Sequence, residues 1–288
     1  MDRIKKNFGF GCMRLPRLHP DKPDVDAALG QSMVDYAYAH GVNYFDTAYT
    51  YLDGKSEWAI RESLVKRHPR SSFLLADKLP GYKMTSHEDC YRYFKEQQDR
   101  CQVDFFDVYL LHWLNGKHYE IAEKYREFEF LEELKKTGKA IKTGFSYHDS
   151  ADLLDEILTR HPEVDYVQLQ INYLDWESSS IQSRRCYETA VKHGKKVIVM
   201  EPVKGGALAE LQALEFVLVE LGLYLDTHQG DAEAFELYKQ YAAMEKEARE
   251  KYEAMNGPVT QMATANAKTW AAWLSEPWPW NYQEGGMK

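Results

Sequence analysis

Four polar side chains stand at or just past the ends of short apolar runs. Asp46 lies in Tyr44-Phe45-Asp46-Thr47-Ala48, and Tyr51 follows five residues later. Lys78 closes Leu74-Leu75-Ala76-Asp77-Lys78, and His112 closes Val108-Tyr109-Leu110-Leu111-His112. A phenol is a weak acid with a reference pKa of about 10. An ammonium beside it favours the phenolate and lowers that value. A carboxylate beside the ammonium would hold it charged and oriented. An imidazole could hydrogen-bond a substrate oxygen and position it, or assist proton transfer. Such a set could deliver a proton to a carbonyl oxygen while hydride reaches the carbon. No side chain supplies hydride, so a nicotinamide would have to.

Singly, each residue has an ordinary structural explanation. The chain holds 20 tyrosines. An isolated lysine is usually solvated, and a histidine after an apolar run is commonly a satisfied buried residue. An aspartate after a strand can serve a turn or a cap. The order of the four, each at or near the end of a strand-like run, is what points to chemistry.

The set works only if the backbone gathers it. Short β-branched or aromatic runs at 8–14, 42–46, 72–78, 106–113, 140–146, 164–171 and 196–201 are expected strands. Amphipathic stretches at 24–40, 56–67, 87–102, 119–136, 150–160 and 179–193 are expected helices. Gly41, Gly138 and Gly194 each follow a helical stretch and precede a strand, where a left-handed helix stop is needed. Strands alternating with helices imply parallel strands joined by right-handed crossovers. No G-x-G-x-x-G turn follows the first strand. A barrel is therefore expected over an open doubly wound sheet. Barrel sites lie at the C-terminal strand ends, where all four residues fall. Seven strands can be counted where a (β/α)₈ TIM barrel has eight, so the expectation is an incomplete barrel.

The texture changes after Leu208. Leu211, Leu214, Leu218, Leu221 and Leu225 step by three and four, as on one helix face, and Leu237, Tyr241, Met244 and Ala248 do the same. Between them, Gly230 is an expected helix stop and Asp231 an expected N-cap. This reads as an antiparallel helical hairpin, ended by Asn256-Gly257-Pro258. The last stretch holds Trp270, Trp273, Trp278 and Trp280, and Pro277 and Pro279 there exclude helix and central strand. The expected fold is thus α/β: an incomplete barrel, a C-terminal α-helical hairpin, and a Trp/Pro-rich tail.

Bulk properties bound the function. The 288 residues suffice for one barrel or two ordinary domains. A net charge of -9 argues against nucleic-acid binding, because nothing would neutralise phosphates. No apolar run approaches membrane-spanning length, and the N-terminus has no secretory signal. Cys12, Cys90, Cys101 and Cys186 are scattered without a C-x-x-C pair, so no metal site is expected and a reducing cytoplasmic location is.

Residues 11–15, the run from Tyr44 to Tyr51, and the stretches ending in Lys78 and His112 resemble the aldo-keto reductase family over about residues 1–208. The resemblance implies that Asp46, Tyr51, Lys78 and His112 are a catalytic tetrad with the tyrosine as general acid. The implied reaction is NAD(P)H-dependent reduction of small aldehydes and ketones to alcohols. The likeness extends to Ser146 in Gly144-Phe-Ser-Tyr-His and to Gln170 and Asn172 in Gln-Ile-Asn-Tyr. It implies that Ser146 and Gln170 hold the nicotinamide carboxamide and that Tyr173 stacks on its ring. It also implies that the segment Met200-Glu201-Pro202-Val203-Lys204-Gly205-Gly206 runs along the cofactor pyrophosphate, with Glu201, Pro202, Gly205 and Gly206 in contact. NADP(H) is the implied cofactor, with NAD(H) the alternative. The family's eighth strand, the loop that grips the adenosine phosphate, and the cysteine-rich iron–sulfur tail of one branch have no visible counterpart.

Residues 209–288 instead resemble the CotJB spore-coat proteins. The matching text is Leu211-Gln-Ala-Leu-Glu-Phe216, Leu223-Tyr-Leu-Asp-Thr-His228, Ala234 through Tyr241, Tyr252, Gly257-Pro258 and Glu276-Pro-Trp-Pro-Trp280. That resemblance implies a structural module of the inner spore coat, working beside a manganese-catalase-like coat partner. Two functions are therefore expected: a reductase fused to a coat module, or a coat protein carrying an inactive barrel.

Overall fold

The computed structural model describes residues 3–19, 22, 24–172, 175–203, 206–256 and 265. Tyr173, Gly205 and the tryptophan- and proline-rich stretch lie outside the described residues. The chain divides into two compact units, Met1–Ile171 with Asp175–Met200, and Asn172–Leu174 with Glu201–Lys288.

The first unit is one sheet of seven parallel strands in sequence order. They are β1 (Gly9–Gly11), β2 (Tyr44–Asp46), β3 (Leu74–Leu79), β4 (Phe106–Leu114), β5 (Ala140–Tyr147), β6 (Tyr166–Gln170) and β7 (Lys196–Met200). Between them run α1 (Ala27–Ala39), α2 (Ser56–Ile60, continued by a π turn over Arg61–Val65), α3 (Glu88–Cys101), α4 (Gly116–Lys124), α5 (Glu127–Lys136), α6 (Ala151–Arg160) and α7 (Ser183–Lys192). Asp26, Asn115 and Ser150 cap α1, α4 and α6 by accepting backbone N–H groups with their side chains. Gly138 and Gly194 adopt φ of +70° and +68°, the left-handed stops their positions require.

Strand alternation separates two cores. One face of the strands, with Phe45, Leu75, Tyr109, Phe145, Val167 and Leu169, packs with the helices into the large core. The other face carries Tyr44, Leu74, Ala76, Val108, Leu110 and Tyr166, with Ile4 and Ile198 against them. A cluster joining β2, β3, β4, β6 and β7 requires a sheet curled on itself, so this face is the inside of a partly closed barrel. Gly144 marks how tight the curl is, since a Cβ there would lie 1.9 Å from the Tyr166 carbonyl oxygen. Among the described residues, β1 and β7 each pair on one side only. No described helix is long and apolar enough to cross a membrane.

One expected helix is two. The stretch 119–136 breaks at Arg126, whose φ of 58° starts α5 in the left-handed region. No glycine or proline announces the break, because burial of Glu127, Phe128, Phe130 and Leu131 imposes it.

The second unit contains α8 (Ala207–Thr227) and α9 (Ala232–Asn256). Arg249, late in α9, donates to Glu215, early in α8, at 2.6 Å, so the pair is antiparallel. Asp231 caps α9, accepting the Ala234 N–H at 2.9 Å. Gly230 lies beyond the end of α8 and is not left-handed; α8 ends at Thr227 and is capped by His228, whose N–H bonds the Tyr224 carbonyl at 3.0 Å. Leu211 and Leu214 are buried and Leu218, Leu221 and Leu225 half-buried. On α9, however, Leu237 and Met244 are exposed. Its sheltered face carries Ala234, Tyr241, Glu245, Ala248 and Arg249, rotated from the expected stripe because the Arg249 ion pairs to Glu215 and Glu245 occupy it.

Candidate active site

Three of the four expected residues sit on the inner face by register. Asp46 ends β2, Lys78 lies two residues beyond Ala76 on β3, and His112 lies two beyond Leu110 on β4. Tyr51 opens a 3₁₀ turn after β2, and its N–H bonds the Ala48 carbonyl at 3.1 Å. Leu52 and Asp53 next to it are left-handed (φ 53° and 52°), so this turn is held against local preference. Behind it, Ser56 Oγ donates to the Cys12 carbonyl at 3.0 Å and lies 2.8 Å from Thr47 Oγ1.

The lysine joins the set. Its side chain is fully buried, and the ammonium donates to Asp46 Oδ1, to the Thr47 carbonyl at 2.9 Å and to Tyr51 Oη at 3.0 Å. Three protons meet three acceptors, so the ammonium is held in one orientation. Burial by itself pulls the Lys78 pKa down, but Asp46 and then Tyr51 outweigh it and the net direction is up. Lys78 therefore stays charged.

Tyr51 departs from expectation. Its pKa is raised, not lowered, because burial outweighs the Lys78 charge and Asp46 offsets part of that charge. Its oxygen accepts from Lys78, which leaves its own O–H free to donate. The edge-on ring of His112 lies 5.5 Å from that of Tyr51, centre to centre. Burial, then Lys78, His148 and His118, push the imidazole down to about 3, so it is neutral. Its Nδ1 is buried with no hydrogen-bond partner.

Sequence reasoning missed Gln168. Its Nε2 donates to Asp46 Oδ2 at 3.1 Å, from β6 to β2 across the barrel interior. Period-two alternation would have found it, since Gln168 shares the face of Gln170. It also missed an aromatic wall. Tyr82, four residues past Lys78, stacks on His118 at 5.3 Å and meets Trp113 edge-on at 5.6 Å and His112 at 6.1 Å. Its hydroxyl donates to Thr50 at 3.1 Å. The signal available was position alone, on loops following strand ends.

Of the expected cofactor residues in the first unit, Ser146 is buried on β5 and its Oγ accepts the Trp113 N–H at 2.7 Å. Gln170 ends β6, where its Nε2 donates to Asp175 at 2.6 Å, and it lines a small pocket with His148, Asp149 and Cys186. Within the second unit, Glu201 is left-handed (φ 55°), Pro202 is exposed, and Gly206 (φ 85°) precedes the first turn of α8.

Residues 7–251 match the family model described as Aldo/keto reductase family. The chain is similar to the NADH-specific methylglyoxal reductase of Escherichia coli, 26% identical over 213 residues, which are 67% of this chain and 62% of that protein. It thus spans less than two thirds of that relative's length. In fold it resembles the aldo-keto reductase AKR11C1 of Bacillus halodurans, with a TM-score of 0.56, 23% identity, and coverage of 70% of this chain and 64% of the other. An aldo-keto reductase of Klebsiella pneumoniae in complex with NADPH aligns with a TM-score of 0.50 and 22% identity, over 69% of this chain and 64% of its own.

Proposed function

We propose, from the premise that this chain belongs to the aldo/keto reductase family, that it reduces small aldehydes or ketones to alcohols with a reduced nicotinamide dinucleotide. The observation that carries the reading is the ammonium of Lys78 shared among Asp46, the Thr47 carbonyl and Tyr51 Oη. Tyr51 is the general acid. Its raised pKa keeps the proton on oxygen until a carbonyl oxygen takes it, and the fixed ammonium then stabilises the phenolate left behind. His112, neutral, donates a hydrogen bond to the same carbonyl oxygen and orients it. Tyr82, Trp113 and His118 form an aromatic wall beside these groups.

When bound, the nicotinamide supplies hydride. The buried, unpartnered Nδ1 of His112 and the Ser146 hydroxyl, which keeps a proton to donate, suit a polar ligand at this mouth. Ser146 and Gln170 would hold the carboxamide, and Tyr173 would stack on the ring. Glu201, Pro202, Gly205 and Gly206 would follow the pyrophosphate. NADP(H) is the first choice, as in the Klebsiella relative's complex, and NAD(H) the second, as in the name of the Escherichia coli relative. The buried free cysteines suit a reducing cytoplasm.

The test is quenching of nicotinamide fluorescence and turnover of methylglyoxal and simple aldehydes. Tyr51→Phe should bind cofactor as before and lose about 10²–10⁴-fold in turnover. Folded wild-type protein that neither binds a nicotinamide nor reduces any carbonyl would end the reading.

A second reading concerns residues 209–288. They would form a CotJB-like coat module that binds a manganese-catalase-like partner, with the barrel either active or a passive appendage. The supporting observation is the exposed apolar row Phe216, Val219 and Leu223 on α8. The family model, however, runs to residue 251, over α8 and most of α9. Failure of the full chain to associate with coat proteins in sporulating cells would count decisively against this module.

A further inference from the structure

Behind the catalytic lysine, on the outer face of β3, lies a second buried polar cluster that the reaction chemistry does not use. Asp77 and Glu57 are both 0% exposed, as are Gln97 and Cys101. One carboxyl oxygen from each acid and the Cys101 sulfur lie within 4.8 Å of one another. Asp77 Oδ1 accepts the backbone N–H of Lys78 at 2.8 Å, and Asp77 Oδ2 faces the Cys101 thiol at 3.7 Å. Glu57 Oε2 accepts from Arg100 at 2.9 Å, while Glu57 Oε1 receives no hydrogen bond from any fixed donor. The carbonyl of Lys78 is held from α3 by Gln97 Nε2 at 3.0 Å, and Tyr109 donates to Gln97 Oε1 at 2.5 Å.

We propose that Glu57 and Asp77 share one proton, and that this carboxyl pair, with Gln97, positions the backbone that carries Lys78. The positioning half rests on the reductase reading above. The charge balance argues for the proton. Arg100 neutralises one carboxylate, and part of its charge is also drawn by Glu96 at 3.5 Å. The Lys78 ammonium is committed to Asp46 on the opposite strand face. Two ionised acids would leave an uncompensated buried charge, which a dry interior strongly disfavours. A proton between the acids removes that charge and gives Glu57 Oε1 its missing partner. It leaves Asp77 Oδ1 free to grip the Lys78 N–H. Burial raises both acids, Asp77 the more strongly, and the Glu57 charge raises Asp77 further, while Arg100 and a hydrogen bond to Asp77 hold Glu57 back. The groups facing the pair are Arg100 and Cys101 from α3, Lys78 from β3, Tyr109 from β4 and Cys12 from the segment after β1, with Tyr49 stacked on Arg100 at 4.0 Å.

An acid raised in the folded state stabilises the fold least at high pH. Its penalty begins near the unfolded value of about 4 and grows until the folded pair itself ionises. Such a costly pair is retained for what it holds in place.

The experiment uses the full chain. Infrared spectra of the wild type at neutral pH should show the C=O stretch of a protonated carboxyl group, lost in Asp77→Asn. The nitrogen-15 shift of the Lys78 ammonium reports its position without turnover. It should move in Asp77→Ala and return toward wild type in Asp77→Asn, which keeps an acceptor for the Lys78 N–H and a donor for Glu57. In kinetics, Asp77→Ala should lose about 10–100-fold in kcat, with cofactor affinity held and rescue by Asn. The Asn variant should also lose the alkaline fall in kcat that release of the shared proton produces. Absence of the carboxyl band, or a stoichiometric divalent metal in the purified protein, would overturn the proton. Equal ammonium shifts for the Ala and Asn variants would overturn the positioning role. A wild type that shows the band and the shifts but no turnover would instead reject the reductase reading and leave the shared proton standing.

Discussion

At the scale of residues, the site is a problem of keeping charges in the interior without leaving any unpaired. Lys78 and Asp46 are each tolerable only because of the other. Replacing Lys78 with Met should therefore destabilise the fold by about 3–5 kcal/mol, by stranding a carboxylate, besides ending turnover. Thermal denaturation of K78M beside Lys78→Met/Asp46→Asn tests this, since the double variant should recover most of the loss. His112 works in the opposite sense, being buried neutral. Its folded pKa of about 3 lies well below the ordinary histidine value, so the unfolded chain takes up a proton first as pH falls. Its contribution is present above about pH 6.5 and is lost progressively toward pH 3, a span worth on the order of 5 kcal/mol. Denaturant titrations of His112→Gln between pH 7 and 4 should show a shallower loss of stability than wild type. An equal slope would mean that the imidazole titrates alike in the folded and unfolded chain.

At the scale of elements, two backbone features set the geometry. Gly144 lets β5 and β6 approach closely enough for Gln168 to reach Asp46. A methyl group there would meet a carbonyl oxygen at 1.9 Å. Gly144→Ala should cost about 3 kcal/mol or more and displace the sheet, read as a large fall in Tm. Arg126 poses the milder case. Its left-handed φ of 58° carries a penalty of about 1–2 kcal/mol, and its only side-chain bond among the described residues is an exposed one to Glu129 at 3.2 Å. Arg126→Gly should leave stability unchanged or raise it by up to about 1 kcal/mol, checked by urea denaturation.

For the molecule as a whole, the sheet is curled but both of its ends are free among the described residues. β7 carries Val199 at 47% exposure, and a half-open strand with apolar side chains invites pairing with another chain. Val199→Lys should reduce concentration-dependent light scattering without altering turnover. Unchanged scattering would locate self-association elsewhere, for which the exposed Phe216, Val219 and Leu223 row on α8 is the next candidate.

The seven strands, their parallel order and the convergence of Asp46, Tyr51, Lys78 and His112 were legible in the residues alone. Hydrophobic period and strand-end position are local properties, and β/α alternation leaves few topologies to choose from. Helix α8 was legible for the same reason, through its leucine steps. Other features belong only to the folded chain. The break at Arg126, the rotated face of α9, the reach of Gln168 to Asp46 and the Glu57–Asp77 contact join residues distant in sequence, or answer to burial that no local pattern records. The direction of the Tyr51 shift is the clearest instance. Residue types imply a lowered pKa beside an ammonium, but only three-dimensional packing reveals how deeply the phenol is desolvated and how much of that ammonium Asp46 has already neutralised.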